Sequence, residues 1–163
     1  MTTSNNNQSD MAQTNSVDPS FSDIPSFTDE NDGFEYQRIS GDTLVSLLKN
    51  LPKRFKQLQI IDCRTPAEYK GGHIKGAINC HTYTQNVEAR YHKIYKGGTL
   101  YVFHCEFSAL RGPKALIRFR AEHEKTLPKV PLACFVLDGG YQEFYEKHRQ
   151  FCMGGYTPEW ETM

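Results

Sequence analysis

The segment LYVFHCEFSALRGP, residues 100–113, places a strand, a cysteine and the start of a helix in close succession. LYVFH is rich in the β-branched and aromatic residues that buried strands favour. Pro113 suits the first turn of a helix, where its missing N–H is not needed. The segment therefore predicts a strand followed by a loop and a helix, the unit from which parallel sheets are built.

The rest of the chain repeats this alternation of short strands and helices. Leu44, Leu47, Leu48 and Leu51 have the spacing of one helix face, with Ser40 or Asp42 as the helix cap. Further strands are predicted at 58–62, 76–79 and 133–137, and helices at 40–50, 67–70, 87–95, 113–123 and 141–151. Short apolar strands that alternate with helices predict an α/β fold whose parallel sheet is covered on both faces.

The distribution of charge divides the chain into two parts. The length of 163 residues favours one domain. Residues 1–33 hold six acidic residues and neither Lys nor Arg, among many Asn, Ser and Thr, which predicts a disordered acidic tail. Residues 34–163 are then the domain and carry all the basic side chains. The excess of basic over acidic side chains in this part suits an anionic substrate. Ordinary scatter of charges on a solvated surface would also produce such an excess.

Several functional classes are excluded by composition. No apolar stretch is long enough to span a bilayer, and MTTSNNNQSD has neither the basic nor the apolar region of a secretory signal. A cytoplasmic or nuclear protein without a membrane partner is expected, with its thiols reduced. The five cysteines form no C-x-x-C pair and no zinc-spaced cluster with His, so neither a metal nor a cofactor is predicted.

The loop between Cys105 and Arg111 carries the chemistry. A C-x5-R spacing alone is weak, because a chain with five cysteines often contains one by chance. Here, however, the cysteine ends a strand, where parallel sheets present their ligands, and the helix start after it favours an anion and a thiolate. Backbone N–H groups of the loop can surround a tetrahedral anion that Arg111 binds with two hydrogen bonds. These are the requirements for phosphoryl transfer to a cysteine; structural packing of Cys105 is the alternative.

Three segments resemble a known family. HCEFSALRGP (104–113) resembles the active-site loop of the M-phase inducer phosphatases, and IIDCRTPAEYKGGHIKGAINCH (60–81) is similar to the segment that they share with rhodanese domains. DGGYQEFYEKHRQFC (138–152) and the following GYTPEW are similar to their carboxyl-terminal region. The resemblance implies a rhodanese-like α/β fold with a five-stranded parallel sheet flanked by helices on both faces. It also implies dual-specificity hydrolysis of phosphotyrosine and phosphothreonine on a cyclin-dependent kinase.

The resemblance also implies roles for individual residues. Cys105 is the nucleophile that forms a phosphocysteine intermediate, and Arg111 is the phosphate clamp. Glu106 is a candidate for protonating the leaving group, unless the substrate phosphate brings its own proton. No Trp-Pro-Asp loop is present to supply a general acid, since Trp160 is the only tryptophan. The remaining residues of the phosphate-binding loop contribute backbone N–H groups: Glu106, Phe107, Ser108, Ala109 and Leu110.

Residues around the loop are assigned supporting roles. Asp62, Arg64 and Glu68 match a structural ion-pair set of rhodanese domains, and His73 is expected to anchor a turn. His104 is expected to satisfy hydrogen bonds of the loop, the alternative being that it tunes the thiolate. Cys63 ends one strand as Cys105 ends another, and the resemblance implies that the two form a redox pair; an inert buried cysteine is the alternative.

Partners are predicted from the same comparison. Lys114 and Arg120 lie where the family carries arginines and are expected to dock a phosphorylated cyclin-dependent kinase, although both could be ordinary solvated helix charges. Thr157 replaces a family arginine that helps this docking. The chain is expected to be a monomer without a nucleic-acid partner.

Two other functions remain open at this point. An arsenate reductase of the same fold shares the H-C-x5-R-G-P pattern, because arsenate has nearly the shape of phosphate. The second alternative is an inactive rhodanese-like binding module. The intact Cys105 and Arg111 argue against it. The loop is one residue longer than that of rhodanese-type sulfurtransferases, which leaves room for a tetrahedral oxyanion.

Overall fold

The computed structural model describes residues 18–163 as strands and helices in alternation. The strands are β1 (Phe27–Asn31), β2 (Phe34–Ile39), β3 (Gln57–Asp62), β4 (Gly72–Ile74), β5 (Ile78–Asn79), β6 (Thr99–His104), β7 (Ala133–Leu137) and β8 (Cys152–Gly154). The α-helices are α1 (Gly41–Lys49), α2 (Pro66–Lys70), α3 (Val87–Ile94), α4 (Arg111–Thr126) and α5 (Gly140–Lys147). Short 3-10 helices occupy Pro19–Phe21, Arg149–Phe151 and Glu159–Thr162.

A central sheet has the strand order β1-β2-β7-β6-β3-β5. The five strands from β2 to β5 in this order all pair in parallel, which confirms the predicted five-stranded parallel sheet. Strand β1 adds an antiparallel sixth strand at the edge, beside β2. A separate two-stranded sheet pairs β4 with β8 in antiparallel fashion.

Helices cover both faces of the central sheet. Leu44 and Leu47 of α1 pack with Phe144 of α5 in the core on one face. Tyr91 of α3 and Phe119 of α4 belong to the core on the other face. Strand β6, at the centre, is buried at all six positions, as its continuous apolar sequence requires. No helix within residues 18–163 is both long and apolar enough to cross a bilayer.

The predicted disordered tail, residues 1–33, needs a correction in its second half. Residues 1–17 lie outside the described residues, but Phe27–Asn31 form β1 and Ile24 is buried. Asp32 and Gly33 both have positive φ, 50° and 82°, and this Asp-Gly turn closes the hairpin that pairs β1 with β2.

Two acidic residues of this segment pair with arginines of the domain, although their own side chains remain about half exposed. Arg38 Nε donates to Asp29 at 2.9 Å, and Arg54 Nη2 lies 2.6 Å from Asp23. The tail prediction relied on composition and overlooked both the Asp-Gly turn and these pairings.

The carboxyl ends of β3 and β6 position the loop. The two strands are in register up to Asp62 opposite His104, and the N–H of Cys63 then donates to the carbonyl of His104 at 2.7 Å. The chain therefore leaves both strands side by side at Cys63 and Cys105, at one edge of the sheet.

Candidate active site

The loop that follows β6 ends at an uncapped helix start. Arg111 begins the 16-residue helix α4, and no side chain caps its first turn. The N–H of Gly112 points at the Cys105 sulfur, with N to Sγ at 3.2 Å. Because the amino end of a helix carries positive dipole charge and free N–H groups, it favours an anion bound beside Cys105.

The conformation of the loop directs backbone donors inward. Ser108 has a φ of 56°, in the left-handed region, and its buried hydroxyl accepts from the N–H of Cys105 at 3.4 Å. Within residues 18–163, the N–H groups from Glu106 to Arg111 have no hydrogen-bond acceptor. Successive free N–H groups around a left-handed residue can form a concave anion site, and the sequence predicts such a site in this loop.

Helix α5 supports the loop from outside. The N–H groups of Tyr141 and Gln142 donate to the carbonyls of Cys105 and Glu106 at 2.9 and 3.0 Å. This contact depends on Gly140, whose φ is +64° and where an added Cβ would lie 2.4 Å from the Glu106 carbonyl oxygen. The Gly-Gly pair before this helix is visible in the sequence, but its contact with the loop is not.

Glu68 orients the side chain of Arg111. Arg111 Nη1 donates to Oε1 of Glu68 at 2.7 Å, and Nη2 donates to Oε2 at 3.2 Å. Thr65 donates to the same carboxylate through its N–H and its hydroxyl, both at 3.1 Å, in a capping box at the start of α2. Burial opposes the charge of Arg111, but the hydrogen bonds and charge of Glu68 outweigh it and raise the pKa of the guanidinium.

The expected ion-pair set is therefore divided between two tasks. Arg64 Nε and Nη2 donate to the two carboxylate oxygens of Asp62 at 2.9 and 2.7 Å, and Nη2 also donates to the Gly72 carbonyl. This buried pair joins β3 to the start of β4. Glu68, by contrast, holds Arg111 at the loop, a contact that the sequence prediction did not give it.

His104 supports the loop in its neutral form. Its Nδ1 lies 3.0 Å from the carbonyl oxygen of Cys105, which can only accept, so Nδ1 is the protonated nitrogen. Burial lowers the pKa of His104, against the attraction of Asp62. The contact agrees with the expectation that His104 satisfies a hydrogen bond of the loop.

Glu106 holds the carboxyl-terminal segment. Its buried carboxylate accepts from the hydroxyl of Tyr156 and, at 3.2 Å, from the N–H of Glu159. Burial, with this hydrogen bond next in size, raises the pKa of Tyr156 well above its ordinary value, so the phenol remains a donor. Since each oxygen of Glu106 already accepts a hydrogen bond, the side chain is poorly placed to protonate a leaving group, contrary to the sequence prediction.

A cavity of about 220 Å³ opens above the cysteine and the arginine. Three of its lining side chains, Tyr83, Phe107 and Leu110, are more than half exposed. Glu159 reaches the cavity from the carboxyl-terminal segment, and its Oε2 lies 3.3 Å from Arg111 Nη1. No sequence signal connected Glu159 with the loop. The lining residues are Tyr83, Cys105, Glu106, Phe107, Ala109, Leu110, Arg111 and Glu159.

Cys63 lies near Cys105. Cys63 and Cys105 each follow the last paired residues of β3 and β6, Asp62 and His104, and the N–H of Cys63 donates to the His104 carbonyl at 2.7 Å. Neighbouring strands generally run about 4.8 Å apart, so the two cysteines leave the sheet side by side. Both cysteines belong to the same buried cluster. Burial, followed by the nearby Cys105, raises the pKa of the Cys63 thiol well above its ordinary value.

The two predicted docking residues lie in different surroundings. Lys114 Nζ sits 5.7 Å from the ring centre of Tyr83, at the rim of the cavity. Arg120 instead lines a second cavity of about 240 Å³, together with Tyr36 and Cys134, which shares no residue with the first. The pair therefore does not form one surface.

His73 contacts the turn that precedes it. His73 Nδ1 lies 2.9 Å from the Tyr69 carbonyl, and the His73 ring stacks on Tyr69 with centres 3.8 Å apart, as a turn anchor does. Among residues 18–163, no group of three or more His, Cys, Asp or Glu is arranged to hold a metal ion.

Comparison with known proteins identifies related chains. The rhodanese-like domain family matches residues 44–147. M-phase inducer phosphatase 1-B of Xenopus laevis is 32% identical over 139 residues, which cover 79% of this chain and 25% of the relative. Cdc25-like protein phosphatase twine of Drosophila melanogaster is 38% identical over 132 residues, 72% of this chain and 30% of the relative. The resemblance to M-phase inducer phosphatases is thus confirmed, although the chain spans only a quarter to a third of their length.

A solved structure of similar size also matches. The As–Sb reductase of Leishmania major has a TM-score of 0.62 and 31% sequence identity, and the match covers 75% of this chain and 88% of that one.

Proposed function

The chain belongs to the rhodanese-like domain family, and on this basis we propose that it is a cysteine-dependent protein phosphatase with Cys105 as nucleophile. The observation that carries the proposal is the position of the Cys105 sulfur, 3.2 Å from the N–H of Gly112 at the start of α4. Arg111, held by Glu68, lies at the same cavity. A stabilised thiolate and an oriented guanidinium then face one anion site.

The proposed mechanism assigns each group a step. Arg111 and the free N–H groups of the loop bind the phosphoryl oxygens and stabilise the charge that spreads over them in the transition state. The thiolate of Cys105 attacks phosphorus as the ester bond breaks, which forms a phosphocysteine. Water then attacks the phosphorus, and the sulfur leaves as a thiolate.

The surroundings of the cavity favour a protein substrate over a free anion. Tyr83, Phe107 and Leu110 expose large apolar surfaces at its rim, and Trp160 follows Glu159 with 71% of its surface exposed. Exposed apolar groups around a polar site are typical of surfaces that contact another macromolecule. Together with the names of the relatives, this supports phosphotyrosine or phosphothreonine on a cell-cycle kinase as the substrate.

Separate substitution of the two predicted docking residues tests the kinase substrate. Because only Lys114 lies at the rim, Lys114→Ala is expected to lower kcat/KM on a phosphorylated kinase complex about tenfold and to spare a small aryl phosphate. Arg120→Ala is expected to have less effect. Equal losses on the kinase complex and the aryl phosphate would argue against docking.

The phosphatase proposal is tested with 4-nitrophenyl phosphate. Wild type is expected to hydrolyse it, whereas Cys105→Ser loses more than about 99% of turnover because a hydroxyl is not ionised near neutral pH. Arg111→Lys is also expected to fail, since a point charge cannot replace the planar guanidinium. Cys134→Ser, on β7 away from the loop, serves as the matched control. Retained activity in Cys105→Ser would remove the covalent mechanism.

A second candidate is reduction of arsenate or antimonate. The similarity in sequence and size to the Leishmania major As–Sb reductase supports it. The same anion site would accept arsenate, and Cys105 would be its nucleophile. Thiol-dependent arsenate reduction that exceeds phosphate-ester hydrolysis in kcat/KM would favour the reductase over the phosphatase.

A further inference from the structure

Among the described residues, two carboxyl side chains line the cavity, those of Glu106 and Glu159. The two differ in their hydrogen-bond and ion-pair partners. The carboxylate of Glu106 accepts from Tyr156 and from the N–H of Glu159, so it anchors the carboxyl-terminal segment. The side chain of Glu159 is 45% exposed and contacts the clamp, with Oε2 at 3.3 Å from Arg111 Nη1. Glu159 therefore places an accessible carboxyl group in the cavity, 3.3 Å from the guanidinium that is proposed to bind phosphate.

The backbone around Glu159 is fixed from both sides. Upstream, β8 pairs with β4, and the N–H of Gly155 donates to the Gly71 carbonyl at 3.0 Å. The hydroxyl of Tyr141, on the helix that supports the loop, donates to the Gly155 carbonyl at 2.7 Å. Downstream, the hydroxyl of Thr162 donates to the Glu159 carbonyl at 2.7 Å. The backbone that carries Glu159 is thus held beside the cavity by the fold.

Bound phosphate changes the surroundings of this carboxyl group. In the free site, Glu159 pairs with Arg111, whose other partner is Glu68. A phosphate ester that binds Arg111 brings a second anion beside Glu159. Two anions that bind the same guanidinium repel, and a single proton shared between them relieves the repulsion. The proton is then carried by Glu159, beside the substrate.

We propose that Glu159 is the general acid of the phosphatase reaction, an inference that rests on the proposed function. As Sγ of Cys105 forms its bond to phosphorus and the ester P–O bond breaks, the proton of Glu159 passes to the leaving oxygen. In the second step, the Glu159 carboxylate takes a proton from the water that attacks the phosphocysteine. The sulfur leaves as a thiolate, phosphate is released, and Glu159 is protonated again.

The assignment is tested by the dependence on the leaving group. A good leaving group needs little protonation, so Glu159→Gln is expected to lower kcat on phenyl phosphate about 100-fold but on 4-nitrophenyl phosphate less than about tenfold. The alkaline limb of the kcat profile on phenyl phosphate is expected to disappear in the same variant. Glu161→Gln, an exposed acid two residues further on in the same 3-10 helix, is the matched control and is expected to match wild type.

Other outcomes distinguish failure of the Glu159 assignment from failure of the phosphatase proposal. Equal losses of kcat on both esters in Glu159→Gln would overturn the assignment. Faster turnover in this variant would also overturn it, because Glu159 would then compete with phosphate for Arg111. In either case, the phosphatase proposal stands if wild type turns over both esters. If wild type hydrolyses neither, while vanadate still binds, the phosphatase proposal falls and the role of Glu159 falls with it.

Discussion

Glu68 and Arg111 lie 43 residues apart in the sequence and meet through two hydrogen bonds, of 2.7 and 3.2 Å, at the cavity that contains Cys105. Glu68 is fully buried, so its carboxylate is shielded from water in the folded protein. The pair fixes the plane of the guanidinium, and such preorganisation would make Arg111 effective in its proposed role as a phosphate clamp.

Glu68→Gln is the first prediction. The neutral amide cannot hold both arms of Arg111, so we expect kcat/KM on an aryl phosphate to fall about 100-fold, as misplaced catalytic groups do. Loss of the buried pair is expected to lower the free energy of unfolding by about 3 kcal/mol. Steady-state kinetics and urea unfolding measure the two effects.

The control for this variant is Glu143→Gln, which breaks an exposed pair with Lys147 on α5. It is expected to change stability by less than about 0.5 kcal/mol. A Glu68→Gln enzyme with wild-type kcat/KM would mean that Arg111 is oriented without its partner.

Gly140→Ala is predicted to disturb the loop through the backbone alone. The new Cβ would lie 2.4 Å from the Glu106 carbonyl oxygen at a φ of +64°, so the start of α5 must move away from the loop. We expect kcat to fall about 100-fold and the Tm to drop by several degrees, measured by kinetics and calorimetry. Gly97→Ala is the control, because nothing lies within 4 Å of its added Cβ. Unchanged turnover in Gly140→Ala would show that α5 does not position the loop.

A disulfide between Cys63 and Cys105 is predicted to protect the nucleophile from oxidation. Peroxide converts a thiolate to a sulfenic acid, and a neighbouring thiol then forms a disulfide with it and releases water. Wild type treated with mild peroxide is expected to recover activity with dithiothreitol. Cys63→Ser is expected to remain inactive, because its sulfenic acid oxidises further, whereas the control Cys134→Ser recovers. Peptide mass spectrometry identifies the bond, and equal recovery in Cys63→Ser would mean that Cys63 only packs.

Stability is predicted to decrease below about pH 6.5 because two histidines resist protonation in the folded state. Burial lowers the pKa of both His104 and His81, the latter with help from Arg111. The unfolded chain therefore binds protons that the folded chain does not. The stability of the neutral forms is complete above the unfolded pKa of about 6.5 and is lost as pH falls toward the folded values.

His104→Asn checks the sign of this effect. The amide can still donate to the Cys105 carbonyl but does not titrate. Urea unfolding between pH 7 and 5 is expected to show a shallower slope than wild type, by at most about 1.4 kcal/mol per pH unit. A variant slope equal to that of wild type would mean that His104 is protonated in the folded state.

The sequence by itself determined the features whose signals are local. The apolar strands LQIID and LYVFH and the helical spacing of Leu44 and Leu47 indicated a covered parallel sheet, and that sheet is observed. Cys105 and Arg111 could be identified because the strand end, the five-residue loop and the helix start are contiguous in the chain. The physical reason is that hydrophobic periodicity and helix capping act over a few residues.

Only the tertiary structure decided which distant residues complete the site. Glu68 was recognised within its motif, but its contact with Arg111 depends on how α2 lies beside the loop. Gly140 and Glu159 reach the loop through the start of α5 and the pairing of β8 with β4. Such contacts follow from which segment ends meet at one edge of the sheet, and this is set by packing of the whole chain, which leaves no trace in the sequence around either partner.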